Sequence, residues 1–357
     1  MHHRTSAEAP RRRLARRAAH VLAVAACLVA VGTSAAATSA AQPPGGAARH
    51  VDYDFSNPDA MCTDGVHVWV ANPGGGSVTE FSATSGALVR VITAPRDRFD
   101  SPGGIATDGV HVWVVNTYGR SVSELSARTG RLIRVITGAR YGFLYPSSVA
   151  VDRHRVWVVS GAADAVTELS SASGALVRVI KGTADGFVHP DAVISNGSNV
   201  WVANTQGTTI TELRASTGAL VRVISAPRGI LNAPAAMALR GNRLWVANGS
   251  NTVTELTATT GAFIRIVHGA RFGLRHPSAI AISDGRVFVT NGAGNSVTEL
   301  DARTGALVQL LRARHYRFAG PVAVVTAGPV GWVLNEAGDS VTGLRTSTGA
   351  LIRVLRG

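Results

Sequence analysis

Three side chains with acid–base chemistry stand outside every repeated pattern of this sequence: His189, His276 and Glu336. Histidine and carboxylate groups can donate and accept protons, and carboxylates can also bind magnesium. We therefore treat these three as candidate catalytic residues for metal-dependent elimination or hydrolysis. The sequence holds no His-x-Glu or Glu-x-His pair, no Gly-x-Ser-x-Gly, no His-Glu-x-x-His and no phosphate-binding loop. We predict no metal site and no cofactor, apart from magnesium if such a reaction occurs.

A second candidate set is cationic and aromatic. Arginine pairs with anionic groups and tyrosine offers a flat ring to sugars, so this set suits an acidic envelope polymer or an acidic protein surface. The alternative is that these are solvated residues without a ligand. The candidate ligand-binding residues are Arg96, Arg98, Tyr118, Arg140, Tyr141, Tyr145, Lys181, Arg228, Arg271, Arg275, Arg314 and Arg317.

Residues 1–41 differ in composition from the rest of the chain. Six arginines are followed by an apolar run that ends at Gly32 and by small residues up to Ala41. This order predicts a cleaved signal peptide, because the apolar run is too short to span a bilayer. Sec export, twin-arginine export through Arg11–Arg13, and a lipoprotein box ending at Cys27 are the alternatives. We expect a secreted or envelope-associated protein without a transmembrane span after cleavage.

The charge of the chain bears on its binding partners, and its cysteine content bears on how the fold is stabilised. Removal of residues 1–41 leaves 29 basic and 21 acidic residues, so the mature chain is still basic. A basic chain can bind nucleic acid, but export makes nucleic acid an unsuitable partner. Only Cys62 remains after cleavage, so no internal disulfide can form and the fold must rest on its own core. We expect a monomer.

Seven copies of one pattern organise residues 57–357. Successive copies start at prolines 58, 102, 146, 190, 234, 277 and 321, a spacing of 44 residues with one exception of 43. Each copy contains four short β-rich runs separated by turn signals such as Asp-Gly and Thr-Gly. Four strands per repeat of this length are typical of a propeller blade. We therefore predict an all-β, seven-bladed β-propeller with four antiparallel strands per blade, preceded by residues 42–56 as a linker or a ring-closing strand.

The repeat resembles a known family. The segments Trp201-Val-Ala-Asn204, Trp245-Val-Ala-Asn248 and Phe288-Val-Thr-Asn291, each followed by a Val-Thr-Glu-Leu-like strand, are similar to the YVTN repeat. Related propellers include NHL-type proteins and the streptogramin lyases. The resemblance implies the propeller architecture, and its lyase relatives imply a metal-dependent lyase or hydrolase as an alternative function. The signal-like N-terminus and the lack of a catalytic motif favour an exported binding or protein-interaction scaffold.

Several repeated residues are expected to have structural roles. The six tryptophans and Phe288 occupy one position on the second strand, where a large ring fills the gap between sheets. The glutamates of the third strand, such as Glu124, should pair across the hairpin with arginines such as Arg134 at the surface. We expect His67 and His111 to be exposed turn residues.

Acidic residues also accompany the candidate site. In a propeller, the connections between blades and the loops between the second and third strands share one face. Asp59 and Asp191 follow blade-start prolines, and Asp164 and Asp339 lie in loops between second and third strands. We therefore expect all four on the same face as Glu336.

Overall fold

The chain forms the predicted all-β, seven-bladed propeller. This computed structural model describes residues 51–93, 99–152, 154–182, 185–225 and 229–357, so the predicted signal peptide lies outside the described residues. The described residues form seven separate sheets, each of four antiparallel strands that pair in chain order. No helix among them is long and apolar enough to cross a membrane.

The first four blades follow one another along the chain. Blade 1 contains β1 Ala60–Thr63, β2 His67–Asn72, β3 Ser77–Ser82 and β4 Leu88–Ile92. Blade 2 contains β5 Pro102–Thr107, β6 His111–Asn116, β7 Ser121–Ser126 and β8 Leu132–Thr137. Blade 3 contains β9 Pro146–Val151, β10 Arg155–Ser160, β11 Ala165–Ser170 and β12 Leu176–Lys181. Blade 4 contains β13 Pro190–Ser195, β14 Asn199–Asn204, β15 Thr209–Arg214 and β16 Leu220–Ser225.

The last three blades repeat this order. Blade 5 contains β17 Pro234–Arg240, β18 Arg243–Asn248, β19 Thr252–Thr257 and β20 Phe263–Val267. Blade 6 contains β21 Pro277–Ser283, β22 Arg286–Asn291, β23 Ser296–Asp301 and β24 Leu307–Leu311. Blade 7 contains β25 Pro321–Ala327, β26 Val330–Asn335, β27 Ser340–Arg345 and β28 Leu351–Arg356. Short 3₁₀ turns lie in the loops at Ala139–Tyr141, Gly161–Ala163, Ala270–Phe272, Gly292–Gly294 and Arg314–Tyr316.

The ring closes without a borrowed strand. The first strand of each blade is innermost and lies beside the first strand of the next, and β25 meets β1 in the same way, so these seven strands surround a central channel. Residues 51–59 contain no strand. They replace a connection between blades: Thr79 Oγ1 donates to the Tyr53 carbonyl at 2.5 Å, as Thr342 Oγ1 donates to the Tyr316 carbonyl at 2.9 Å. The described part of residues 42–56 therefore forms a connection rather than an outer strand.

The hydrophobic core lies between the blades. Trp201 on the second strand of blade 4 is 1% exposed and packs with Met237 and Leu244 of blade 5. The other tryptophans are fully buried in the same way, and Phe288 takes this position in blade 6. Each ring thus joins its own sheet to the next, which is the structural role expected for this position.

Trp332 completes the ring by joining the last blade to the first. Its indole N–H donates to the Ala83 carbonyl of blade 1 at 2.8 Å. Its ring centre lies 5.0 Å from that of Phe81, in an edge-to-face arrangement. The contact between blades 7 and 1 therefore repeats the packing found between the other blades.

The repeated glutamates are fully buried, which the sequence does not predict. The expected pairing is right, since Glu80 faces Arg90 and Glu124 faces Arg134 across the third and fourth strands. However, both carboxylates are 0% exposed, at 3.0 and 2.9 Å from the arginine Nε atoms. The expected surface pair is therefore wrong, because the stacked blades cover the third strand. Burial raises the pKa of Glu124, and the Arg134 guanidinium opposes that rise.

A second basic side chain lies beside several of the buried carboxylates. It comes from the first residue of the second strand: Nε2 of His111 is 3.6 Å from Glu124 Oε1. The expectation that His67 and His111 are exposed turn residues is wrong, because each begins a strand and faces a glutamate. In blade 3 this position belongs to Arg155, while the neighbouring His154 is exposed.

The asparagines that end the second strands form buried bridges. The Asn72 amide donates to Ser77 Oγ at 3.1 Å and to Thr79 Oγ1 at 2.9 Å. Thr79 in turn donates to the Tyr53 carbonyl, so the asparagine connects the sheet to the incoming connection. These side chains are committed to the fold and are not available to a ligand.

We predict that truncating Arg134 destabilises the propeller more than neutralising its partner. Arg134→Ala leaves the buried Glu124 carboxylate with only His111 nearby, so it should lower the free energy of unfolding at pH 8 by about 1–3 kcal/mol. Glu124→Gln removes both the ion pair and its desolvation cost, so the change should be below about 1 kcal/mol. Denaturant unfolding measures both values. Equal losses would contradict this account of the buried charge.

Candidate functional site

The candidate residues lie on one face, which we call the linker face. There the connections between blades meet the loops between second and third strands: the Thr205 N–H donates to the His189 carbonyl at 3.1 Å, and the Glu336 N–H donates to the Gly320 carbonyl at 3.0 Å. The residue before each blade-start proline has a φ between 49° and 57°. Non-glycine residues rarely adopt this conformation. The hydrogen bonds between loops hold it at the mouth of the central channel.

Two of the acidic residues on this face are structural. The Asp164 Oδ1 atom accepts a hydrogen bond from the His189 backbone N–H at 2.7 Å. Asp339 Oδ1 accepts one from the Asn57 N–H at the same distance, across the junction of blades 7 and 1. These carboxylates bind the backbone of the next blade and position its connection.

His276 and Glu336 share a cavity. It has a volume of about 580 Å³ and lies at the linker face beside blades 5, 6 and 7. Small residues form most of its wall, and its polar residues are Asn232, Ser250, His276, Ser278 and Glu336. His276 is exposed and Glu336 is half-buried. The structure thus brings together two of the three candidate catalytic residues.

His189 lies elsewhere on the linker face. It is exposed and stands beside Gly161 of blade 3, where a side chain would approach its Cε1 atom to 3.3 Å. It does not line the cavity of His276 and Glu336. Among the described residues, no three His, Cys, Asp or Glu side chains are grouped closely enough to hold a metal ion.

Two further acids lie at the channel mouth: Asp59 directly precedes the innermost strand of blade 1, and Asp191 lies on the innermost strand of blade 4. Asp191 is 5% exposed, and burial raises its pKa to about 7, while a hydrogen bond from Ser147 opposes the rise. The pKa of Asp59 is raised well above its ordinary value by burial and by the charges of Glu336 and Asp191. The charges of Asp191 on blade 4 and Glu336 on blade 7 therefore act on Asp59 of blade 1.

The cationic candidates are spread around the outer part of the linker face. Arg140 lies over the Tyr141 ring at 4.8 Å and donates to its hydroxyl at 2.8 Å, and Arg271 lies over Phe272 at 4.7 Å. None of the cationic candidates in the described part of the chain forms an ion pair there. The exposed cations are Arg140, Lys181, Arg271, Arg275, Arg314 and Arg317. Three further candidates, Arg96, Arg98 and Arg228, lie outside the described residues.

The candidate tyrosines separate into a buried and an exposed group. Tyr141 is 6% exposed and stacks on Phe143, with ring centres 5.4 Å apart, so its ring supports the connection. Tyr118 and Tyr145 are 52% and 43% exposed, and their rings meet edge to face at 6.1 Å. The Arg120 guanidinium lies 5.1 Å from the centre of the Tyr145 ring. Arg120 lies in the same loop as Tyr118, between a second and a third strand, and the sequence candidates omit it because their cations come only from the connections between blades.

Comparison with known proteins shows the fold. No family model and no curated protein matches this chain, so the YVTN-type repeat stays a resemblance. A streptogramin B lyase structure is similar with a TM-score of 0.64 and 15% identity, over 79% of this chain and 91% of that one. A structure of Kuenenia stuttgartiensis hydrazine synthase is similar with a TM-score of 0.66 and 18% identity, over 84% of this chain and 98% of that one. A chain of a mitotic checkpoint complex is similar with a TM-score of 0.67 and 13% identity, over 88% of this chain and 99% of that one.

We predict that Asp191→Asn stabilises the protein at alkaline pH. The folded-state pKa of Asp191, about 7, lies above its ordinary value of 3.8. The native state therefore binds more protons between these values, and stability falls as the pH rises from about 4 to 7. The loss amounts to at most roughly 4 kcal/mol. The asparagine side chain cannot ionise, so the variant should exceed the wild type in unfolding free energy at pH 8 and match it near pH 4.

Denaturant unfolding at both pH values measures this difference. Asp100→Asn, at an exposed position on the same face, is the matched control and should change little at either pH. Equal stability of Asp191→Asn and wild type at pH 8 would contradict the conclusion that Asp191 is buried without a cationic partner.

Proposed function

We propose that this protein is an exported binding scaffold that recognises an anionic polymer or acidic protein surface on its linker face. The observation that carries the proposal is the exposed cluster of Tyr118, Arg120 and Tyr145. Exposed aromatic rings with a guanidinium group offer flat surfaces for sugar rings and a cation for their carboxylates. The signal-like N-terminus supports export, and the propeller supports a scaffold in general.

The arrangement of the rim arginines supports the same ligand class. Arg140 and Arg271 rest on aromatic rings of their connections, which limits the side-chain freedom that would be lost on binding. Their positions on different blades suit an extended ligand that contacts several cations at once, because linked contacts raise the overall affinity. The acids lie towards the channel, so a polymer of negative charge should follow the rim.

Binding to sodium polygalacturonate, an acidic polysaccharide, tests the proposal. We predict that the triple variant Arg140→Glu, Arg271→Glu and Arg275→Glu abolishes binding, and that Tyr145→Ala weakens it about tenfold. Affinity should fall at least tenfold between 50 and 200 mM salt, since exposed charges are screened beyond roughly 8 Å at physiological ionic strength. Isothermal titration calorimetry gives both the affinity and its salt dependence.

Reversal of Arg128 and Arg303, on the turns of the opposite face, is the matched control and should have little effect. Neutral dextran should not bind. Equal losses from both sets of arginines, or an affinity indifferent to salt, would overturn a cationic recognition face.

A lyase or hydrolase is the second candidate function. It is favoured by the shared cavity of His276 and Glu336 and by the fold similarity to a streptogramin B lyase structure. A histidine and a carboxylate in one cavity can act as a proton acceptor and a proton donor. In an elimination, His276 would take a proton from the carbon beside the bond that breaks, and the electron pair of that C–H bond would form the new double bond as the leaving group departs. Glu336 would orient the substrate, and His276 would then give its proton to the leaving group.

Turnover of a streptogramin B antibiotic with added magnesium tests this candidate. If it holds, we predict that His276→Ala and Glu336→Gln each lower kcat by at least a hundredfold, the usual size of an acid–base contribution. His189→Ala, outside the cavity, should retain activity. Absence of turnover by the wild type, or equal activity in all three variants, would overturn it for this substrate.

A further inference from the structure

Two acids at the channel mouth have buried oxygen atoms without a partner. Asp191 Oδ2 and Asp59 Oδ1 are inaccessible to solvent and accept no hydrogen bond. No cation contributes to the electrostatics of either carboxyl group. Buried carboxylates without a partner are strongly unfavourable. The blade glutamates differ in this respect, since an arginine lies against Glu80, Glu124 and Glu212.

These two acids belong to blades on opposite sides of the channel. Asp59 directly precedes the innermost strand of blade 1, and Asp191 lies on the innermost strand of blade 4, nearly opposite in a ring of seven. Because the two blades are not neighbours, the charge of Asp191 can act on Asp59 only across the channel. Glu336 of blade 7 also acts on Asp59 and lines the adjoining cavity.

The propeller does not need an acid at this position. In the other five blades the residue after the proline is neutral: Gly103, Ser147, Ala235, Ser278 and Val322. A side chain at position 103 would lie 3.3 Å from Asp59 Oδ2, so glycine there keeps space beside the carboxyl group. The two acids therefore depart from a repeat that folds with small or apolar residues.

We propose that the channel mouth binds a protonated amine, with Asp59, Asp191 and Glu336 as its acceptors. An ammonium group has three hydrogen-bond donors and a positive charge, which suits the unpartnered oxygens of Asp59 and Asp191. The half-buried Glu336 adds a third negative charge on blade 7. The rest of the ligand occupies the adjoining cavity of about 580 Å³, the size of a pocket for a small organic molecule. His276 and Ser278 contact its polar groups.

An amine fits these residues better than a metal ion. Divalent cations require several oxygen ligands at short, defined distances. No three acidic or histidine side chains of the described chain are grouped in that way. A diamine carries two separate ammonium groups, so it can pair with carboxylates that stand too far apart to share one metal ion.

Calorimetric titration with 1,4-diaminobutane tests the proposal on the full mature chain. We expect binding at pH 8 that weakens at least tenfold in Asp191→Asn and in Asp59→Asn. The neutral analogue 1,4-butanediol should not bind. Asp100→Asn, the exposed acid on the same face, should bind as the wild type does, and circular dichroism confirms that each variant is folded.

Three results would overturn the proposal. They are absence of diamine binding at millimolar concentration, equal binding by wild type and Asp191→Asn, and saturable binding of calcium or magnesium alone that is lost in the same variants. The site is separate from the cationic rim, so reversal of Arg140, Arg271 and Arg275 should leave diamine binding intact. Failure of polymer binding and failure of amine binding are therefore distinguishable.

Discussion

The packing of each blade on the next is the interaction on which the rest of the structure depends. A single four-stranded sheet cannot bury two apolar faces, so each blade requires a neighbour on both sides. One large ring per blade, such as Trp201, provides that contact. Trp332 makes the last contact against blade 1, so the ring is complete only with seven blades. The inner three strands are thereby covered, and the ends of the strands and the loops that join them remain accessible at the two ends of the ring.

Much of this architecture could be predicted because the repeat marks each strand and turn. The prolines marked where each blade begins, and the pairing of Glu124 with Arg134 followed from counting across one hairpin. Burial of that pair could not be predicted, since alternation along one strand does not reveal that another sheet covers it. The role of His111 was missed for another reason: it was assigned to the hairpin turn, whereas it begins the second strand and lies beside Glu124 of its own blade.

The sequence identified individual residues of the candidate site, but it did not show which of them lie near one another in the fold. The repeat placed Asp59 and Asp191 at one equivalent position, yet only closure of the ring puts them across a channel from each other. Burial of Tyr141 had a signal in the sequence: Tyr-x-Phe occurs at Tyr53, Tyr141 and Tyr316, and each tyrosine stacks on the phenylalanine two residues later. A pattern that recurs in several connections indicates a structural role, and the tyrosines outside it, Tyr118 and Tyr145, are the exposed ones.

The acidic residues that depart from the repeat are therefore of two kinds. Some have their charge balanced by hydrogen bonds within the fold, and others do not. Glu336 replaces neutral loop residues at a cavity wall, and Asp191 replaces a small residue at the channel mouth without gaining a cationic partner. Asp164, by contrast, binds the backbone of the next blade. An uncompensated charge lowers the stability of the native state, and nothing in the packing of the blades requires it. The channel mouth is thus the region where this propeller retains unfavourable electrostatics that a bound ligand of opposite charge would relieve.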